Sequence, residues 1–251
     1  MLLIATSTIA KPTLLTNIEK VLIMKDVQKL NQYADILKKS EKNVNVFWYY
    51  FREIVPGFNE GVFYVKKYTR KKGHYNVVNE LAYRVSIVTF DSAIIYYKLG
   101  EVVTDYEGDG KETYVHKKTY KNDTAFVLLC NTFKSMFNMP LNMNELFVED
   151  FTYGRQCGIG GVNPKPRQQM EEFVTNNNKD SLIRWLQSTN TEKQIYAVEG
   201  LYELNKLGIQ LTSQEKQMTA YVKAKKGTIN HCSGCMHFNI EIFEAMKMIF
   251  R

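Results

Sequence analysis

Three cysteines and two histidines are the residues of this chain whose types and spacing point to chemistry. The stretch His231-Cys232-Ser233-Gly234-Cys235-Met236-His237 sets a CxxC thiol pair between two imidazoles. About 75 residues upstream, Cys157 lies in the glycine-rich run Gly154-Arg155-Gln156-Cys157-Gly158-Ile159-Gly160-Gly161. A thioredoxin-type dithiol needs most of its fold after the pair, and only 16 residues follow Cys235. Covalent haem attachment needs a His directly after the second Cys, where Met236 stands. Zinc is a better match, because two thiolates two residues apart share one tetrahedral ion, with Cys157 and either His231 or His237 as the remaining ligands. A strong zinc signal has two paired half-sites, however, and this chain has one pair and a lone Cys. The remaining chemistry is a structural disulfide, either Cys157 to Cys232 or Cys235, or Cys232 to Cys235. A Cys157–Cys232 bridge would contribute roughly 2–4 kcal/mol if the Cα atoms lie within bonding range. The expectation is a disulfide among these three residues, with zinc as the alternative and no other cofactor.

No second catalytic set accompanies them. The Gly154–Gly161 run lacks the strand–GxGxxG–helix context of a dinucleotide site, and GxSxG and HExxH are absent. A calcium loop starting at Asp105 needs a Glu twelve positions along, where His116 stands. His74 falls in a turn and His116 on a polar strand, and Glu53, Asp91, Glu149 and Asp150 are not paired by spacing. Cys130 lies on the apolar face of a helix with Phe126, Leu129, Phe133 and Phe137, which marks it as a small core residue.

The chain has 251 residues, 45% of them hydrophobic and 24% charged, which is the composition of a globular protein. Its formal charge of +7 is spread along the whole length. The densest basic cluster is Lys66, Lys67, Arg70, Lys71 and Lys72, with Tyr64 and Tyr68 interleaved. A lysine-rich strand end that discourages edge pairing explains it better than a nucleic-acid face. No apolar run reaches the roughly 18–20 residues of a membrane-spanning helix. Met1–Ala10 looks like a signal-peptide core ending Thr8-Ile9-Ala10, although no basic segment precedes it. That resemblance favours a periplasmic, envelope-associated or secreted address. A buried first strand is the competing reading.

The elements that must position the cysteines follow from hydrophobic period. Thr16-Asn17-Ile18-Glu19 reads as a capping box opening one helix to Lys39, with Ile23, Val27, Leu30, Ala34 and Leu37 on its apolar stripe. From Val44 to Lys121 the pattern is that of strands joined by turns at Pro56-Gly57, Asp91-Ser92 and Glu107–Gly110, hence an antiparallel sheet. A helix spans about 124–138 and is stopped by Pro140. Helices are then expected over Pro166–Thr175, Ser181–Gln187, Thr191–Leu207, Thr212–Lys225 and Asn239–Phe250. The fold class is α+β. Its parts are an α+β domain over 1–153, a glycine-rich linker over 154–163, and an all-helical domain over 164–251.

Residues 182–204, LIRWLQSTNTEKQIYAVEGLYEL, resemble a single HEAT repeat. Trp185 and Leu186 would end its first helix, and Ala197, Gly200, Leu201 and Leu204 would pack its second. Lys193 and Gln194 depart from the family pattern, where Val and Arg are usual. The resemblance implies a helical-hairpin packing unit and a protein-binding surface. The order Cys-Gly-Ile-Gly-Gly, helix pair, Cys-Ser-Gly-Cys also resembles that of bacterial proteins to which no activity attaches. Together these features predict a non-enzymatic binding or structural protein that is exported or envelope-associated. Its partner would be another protein, and its interaction region would be stapled by cysteines. Thiol–disulfide or zinc-dependent chemistry at Cys232 and Cys235 is the alternative.

Overall fold

The computed structural model describes residues 13–70, 78–104, 112–158 and 160–250. Met1–Ala10, Lys71, Lys72, His74 and the Glu107–Gly110 turn lie outside them. The chain opens with two helices, α1 (Leu14–Ile23) and α2 (Val27–Ser40), where the apolar stripe predicts one. Lys25 between them takes a left-handed φ of +54°, and the Asp26 carboxylate caps α2 through Gln28 N. The break has a tertiary cause: Lys25 O accepts from Ile94 N, and Val27 N donates to Ser92 O. Thr13 rather than Thr16 caps α1.

Five strands follow, β1 (Val44–Val55), β2 (Phe58–Arg70), β3 (Val78–Phe90), β4 (Ala93–Thr104) and β5 (Glu112–Lys121), paired in sequence order as an antiparallel meander. Strand alternation gives this sheet two apolar faces. Val46, Phe63, Val85 and Leu99 pack with Ile18, Leu22 and Leu30 of the N-terminal helices, while Tyr50, Val62, Tyr64 and Val102 pack on the other side. Of the basic cluster, Lys66 pairs with Glu80 and Lys67 with Glu41.

Beyond the sheet come α3 (Asp123–Phe137), strand β6 (Tyr153–Cys157), α4 (Lys165–Thr175), α5 (Lys179–Leu186), α6 (Thr191–Lys206) and α7 (Ser213–Ala224). The chain then forms a hairpin, β7 (Thr228–Gly234) and β8 (Met236–Glu241), before the last helix α8 (Ile242–Ile249). The α+β class holds; besides the break in the first helix, the departures are β6 at the start of the stretch expected as a glycine-rich linker and the segment around the CxxC pair. There the strands β7 and β8 replace an all-helical reading, and the last helix starts at Ile242 instead of Asn239. The apolar pattern of 242–249 is helical, whereas His231–Gly234 is held as a strand by backbone pairing with β6. The partner residues lie 77–78 positions away in sequence, out of range of local pattern. Strands β6, β7 and β8 make a second sheet, parallel between β6 and β7 and antiparallel between β7 and β8. The pair α5/α6 covers the stretch 182–204, and its helices approach so closely that a Cβ on Gly200 would sit 2.6 Å from Leu182 Cδ2. Among the described residues no helix is long and apolar enough to cross a membrane.

One core cluster joins Ile54, Val55 and Phe58 to α3, α5, α6, α7 and α8. Through it runs a polar seam. Arg52 of β1, with no exposed surface, donates from Nε to Glu60 Oε1 at 2.8 Å and from Nη1 to Glu192 Oε1 at 2.5 Å. Glu60 Oε2 accepts from Phe147 N, and Glu192 Oε1 also accepts from Asn230 N of β7. Glu53 N donates to Lys226 O, and Arg52 bridges Gly227, so β1 and β7 are joined at this one corner. Lys225, 3% exposed, donates from Nζ to Gln194 Oε1 at 2.7 Å.

Burial, reinforced by the Arg52 charge, pushes the Lys225 amine down to about 7, against the opposing pull of Glu60, Glu53 and Glu192. A depressed amine gives a definite sign. Between about pH 7 and 9 the unfolded chain binds a proton that the folded chain does not, so stability rises with pH. Above that range Cys130 and the buried tyrosines Tyr64, Tyr153 and Tyr221, all raised by burial, act in the opposite direction. In urea titrations the wild-type slope should approach about 1.4 kcal/mol per pH unit within this window. Lys225→Met should flatten it, and an unchanged slope in the variant would assign the proton elsewhere.

Candidate functional site

Strand β6 owes its place to a parallel register on β7: Tyr153 opposite His231, Gly154 opposite Cys232, and Arg155 opposite Ser233. Gln156 then takes a φ of +52° and bulges, so that Cys157 lies opposite Gly234. The backbone closes round this point, with Cys157 N donating to Val162 O and Gly158 N to Gly234 O. Cys157 and Cys232 are at disulfide-bonding distance, with Cα atoms 5.5 Å apart. Cys232 is 1% exposed and Cys157 half-buried. Gly154 makes the space for both sulfurs. A Cβ there would run into the Cys232 carbonyl oxygen and lie 2.7 Å from Cys232 Sγ and 3.1 Å from Cys157 Sγ.

The other predicted site residues are not drawn into that pair. Cys235 is exposed, in the two-residue turn between Ser233 and Met236 where Gly234 supplies the positive φ. His231 is buried on β7 against Phe238, and burial lowers its imidazole pKa, aided by the Arg167 charge and opposed by the Tyr153 backbone. His237 pairs with Cys232 across the hairpin and is exposed. Among the described residues no three His, Cys, Asp or Glu side chains are grouped to hold a metal ion.

Residues the sequence reading passed over surround the cysteine pair. Glu199 of α6 accepts from three donors: Tyr153 Oη at 2.9 Å, Arg167 Nη2 at 2.6 Å, and Arg155. Arg167, itself 2% exposed, also donates from Nε to Gly154 O at 2.6 Å, and Gly154 N donates to Tyr196 Oη. Burial would raise the Glu199 carboxyl, but the two guanidinium groups outweigh it and hold it below the usual carboxylate range. Tyr153 is pushed well above its ordinary value, chiefly by burial and then by Glu199. Glu199 is therefore a fixed acceptor with its lone pairs engaged, a poor candidate for taking a proton from a substrate. Its charge anchors α4 and α6 to the strand that carries Cys157.

Two clefts meet at this cluster. One, of about 620 Å³, is bordered by Arg155, Gln156, Asn163, Glu171 and Glu203. The other, of about 300 Å³, is bordered by Tyr153, His231, Cys232, Ser233 and Met248, and the two Arg side chains line both. The signal for Glu199 was present as a carboxylate inside Ala197-Val198-Glu199-Gly200-Leu201, an apolar helical stretch. Spacing alone offers Arg167 only Glu171, four residues on, whereas its two short contacts are with partners 13 and 32 residues away. Compared with family models, curated proteins and solved structures, the chain finds no match.

Gly154→Ala should therefore push β6 away from the β7 backbone and spread the two sulfurs with it. The variant should lose about 1–3 kcal/mol of stability in urea. It should also show a smaller share of Cys157–Cys232 crosslinked peptide after air oxidation. Wild-type crosslinking in the variant would mean that the glycine does not shape this pocket.

Proposed function

We propose that the protein is a non-enzymatic binding or structural protein, exported or envelope-associated, whose helical C-terminal part offers a surface to another protein. The observation that carries this reading is the Cys157–Cys232 pair, 75 residues apart in sequence and 5.5 Å apart at Cα. As a bond it would close β6 on β7 around α4, α5, α6 and α7, and would hold the Arg155–Arg167–Glu199 cluster in register. In the chain-entropy account a loop of that length is worth about 4 kcal/mol, which matters only where thiols are oxidised. That requirement agrees with the signal-like Met1–Ala10. Support for binding comes from apolar side chains left bare on β8 and α8, with Met236 65% and Phe243 61% exposed. The α5/α6 pair supports the HEAT-like reading of 182–204 as a packing unit. The charged groups beside the cysteines satisfy one another, which favours a scaffold over a catalyst.

The exposed Cys235 thiol favours thiol–disulfide chemistry as a second reading, with Cys157 as the resting partner of Cys232. A zinc role for Cys157, Cys232, Cys235, His231 or His237 has no comparable geometric support.

Intact mass with and without reductant, with metal analysis on the same sample, tests the staple. The oxidised chain should be lighter by about 2 Da and hold no stoichiometric zinc. Its Cys232→Ser variant should lose about 2–4 kcal/mol in urea under oxidising conditions and far less in reductant. Stoichiometric zinc, or equal masses in both samples from an oxidising compartment, would overturn the reading and its cellular address.

A further inference from the structure

The register of β6 on β7 bears directly on the third thiol. Tyr153, Gly154 and Arg155 face His231, Cys232 and Ser233 in unbroken parallel order. Continued without the bulge, that order sets Cys157 opposite Cys235. The extra residue, Gln156 at a φ of +52°, draws Cys157 back by one position to face Gly234, from where it reaches Cys232. Cys235 is the next residue after Gly234, one Cα step of about 3.8 Å beyond the partner of Cys157. Three cysteines thus gather at one end of a small sheet. Their surroundings differ: Cys232 is 1% exposed, Cys157 is half-buried and Cys235 is exposed.

We propose that Cys235 is the attacking thiol of an internal exchange that moves the bond from Cys157–Cys232 to Cys157–Cys235. The proposal rests on the staple reading. Cys235 gives its proton to solvent, and its thiolate attacks Cys157 Sγ, the more accessible of the two bonded sulfurs. The Cys235–Cys157 bond forms as the Cys157–Cys232 bond breaks. The electron pair leaves on Cys232 Sγ, which takes a proton from solvent. One thiol and one disulfide stand on each side of the step, so it requires no outside oxidant or reductant. The bulge at Gln156 is what the resting bond requires, and the exchanged bond removes that requirement, allowing β6 the regular register. The exposed thiol disappears in the exchange, and a thiol in the place of Cys232, packed beneath Gly154, replaces it. Bond position and strand register are therefore two readings of one switch.

The test uses the full wild-type chain, held at about pH 6 and about pH 8.5, quenched in acid and alkylated with N-ethylmaleimide in denaturant, since the thiolate is the attacking form. Tandem mass spectrometry reads which cysteine carries the label, with Cys130 as internal control. At the lower pH the label should fall on Cys235. At the higher pH a share should move to Cys232 with time. Label that stays on Cys235 throughout would overturn the exchange and leave the staple standing. Label on Cys157, Cys232 and Cys235 together from the start would overturn the staple, and the exchange with it. As an independent measurement, Cys232→Ser treated with oxidised glutathione should join Cys157 to Cys235 and lose both labels. A folded variant that keeps both thiols free would show that the two cannot meet, and would likewise overturn the proposal.

Discussion

A guanidinium without exposed surface, that of Arg52, determines how the two sheets and the helices meet. An unpaired buried charge costs several kcal/mol, so Arg52 tolerates its position only between two carboxylates. One, Glu60, comes from the neighbouring strand; the other, Glu192, opens α6 from 140 residues away. The same Glu192 oxygen receives the backbone of Asn230, which brings β7 to the seam. Gly227 lets β7 come close: its φ is +105°, and an added Cβ would run into the Arg52 Cα and the Phe51 carbonyl oxygen. With β7 placed there, β6 has an edge to pair with and Cys157 a sulfur to meet. The cysteine pair is thus the last member of a chain of constraints that starts in the middle of β1.

Local pattern carried most of the architecture and failed where long-range contacts decide. The meander was legible because strands of alternating or dense apolar character are punctuated by Pro56-Gly57 and Asp91-Ser92, and each pairs with its sequence neighbour. The capping box at Thr212 and Glu215 forms as its residue types predict. At Lys25 the same reasoning misses a break, because the apolar stripe runs on through Ile23 and Val27 while the β3–β4 turn imposes the kink through Ser92 and Ile94. The hairpin at 228–241 was hidden for a related reason. Its strands are short and polar, and they take their conformation from β6 and from each other.

The candidate site was legible to the same degree. The three cysteines identify themselves by type and spacing, and one of the pairings their spacing allows is the one the fold brings together. Glu199 was detectable as a charge amid Ala197, Val198, Gly200 and Leu201, whereas Arg167 reads as an ordinary charge at the start of an exposed helix. Gly154 looks like one of several loop glycines until the sulfurs beside it are seen. Its neighbours Gly158 and Gly160 would meet nothing, so a glycine-rich run here combines one steric requirement with residues that only turn the chain.

The parallel pairing of β6 with β7 also orders events in time. A ribosome adding roughly 5–20 residues per second takes several seconds to go from Cys157 to Cys232. Throughout that interval Cys157 is a nascent thiol without its mate, and Cys130 is the one other thiol already made. Cys130 lies half-buried on α3, packed against the core beside the face that carries Phe126, Leu129, Phe133 and Phe137. Early formation of that helix would keep the wrong sulfur out of reach while the right one is still being synthesised.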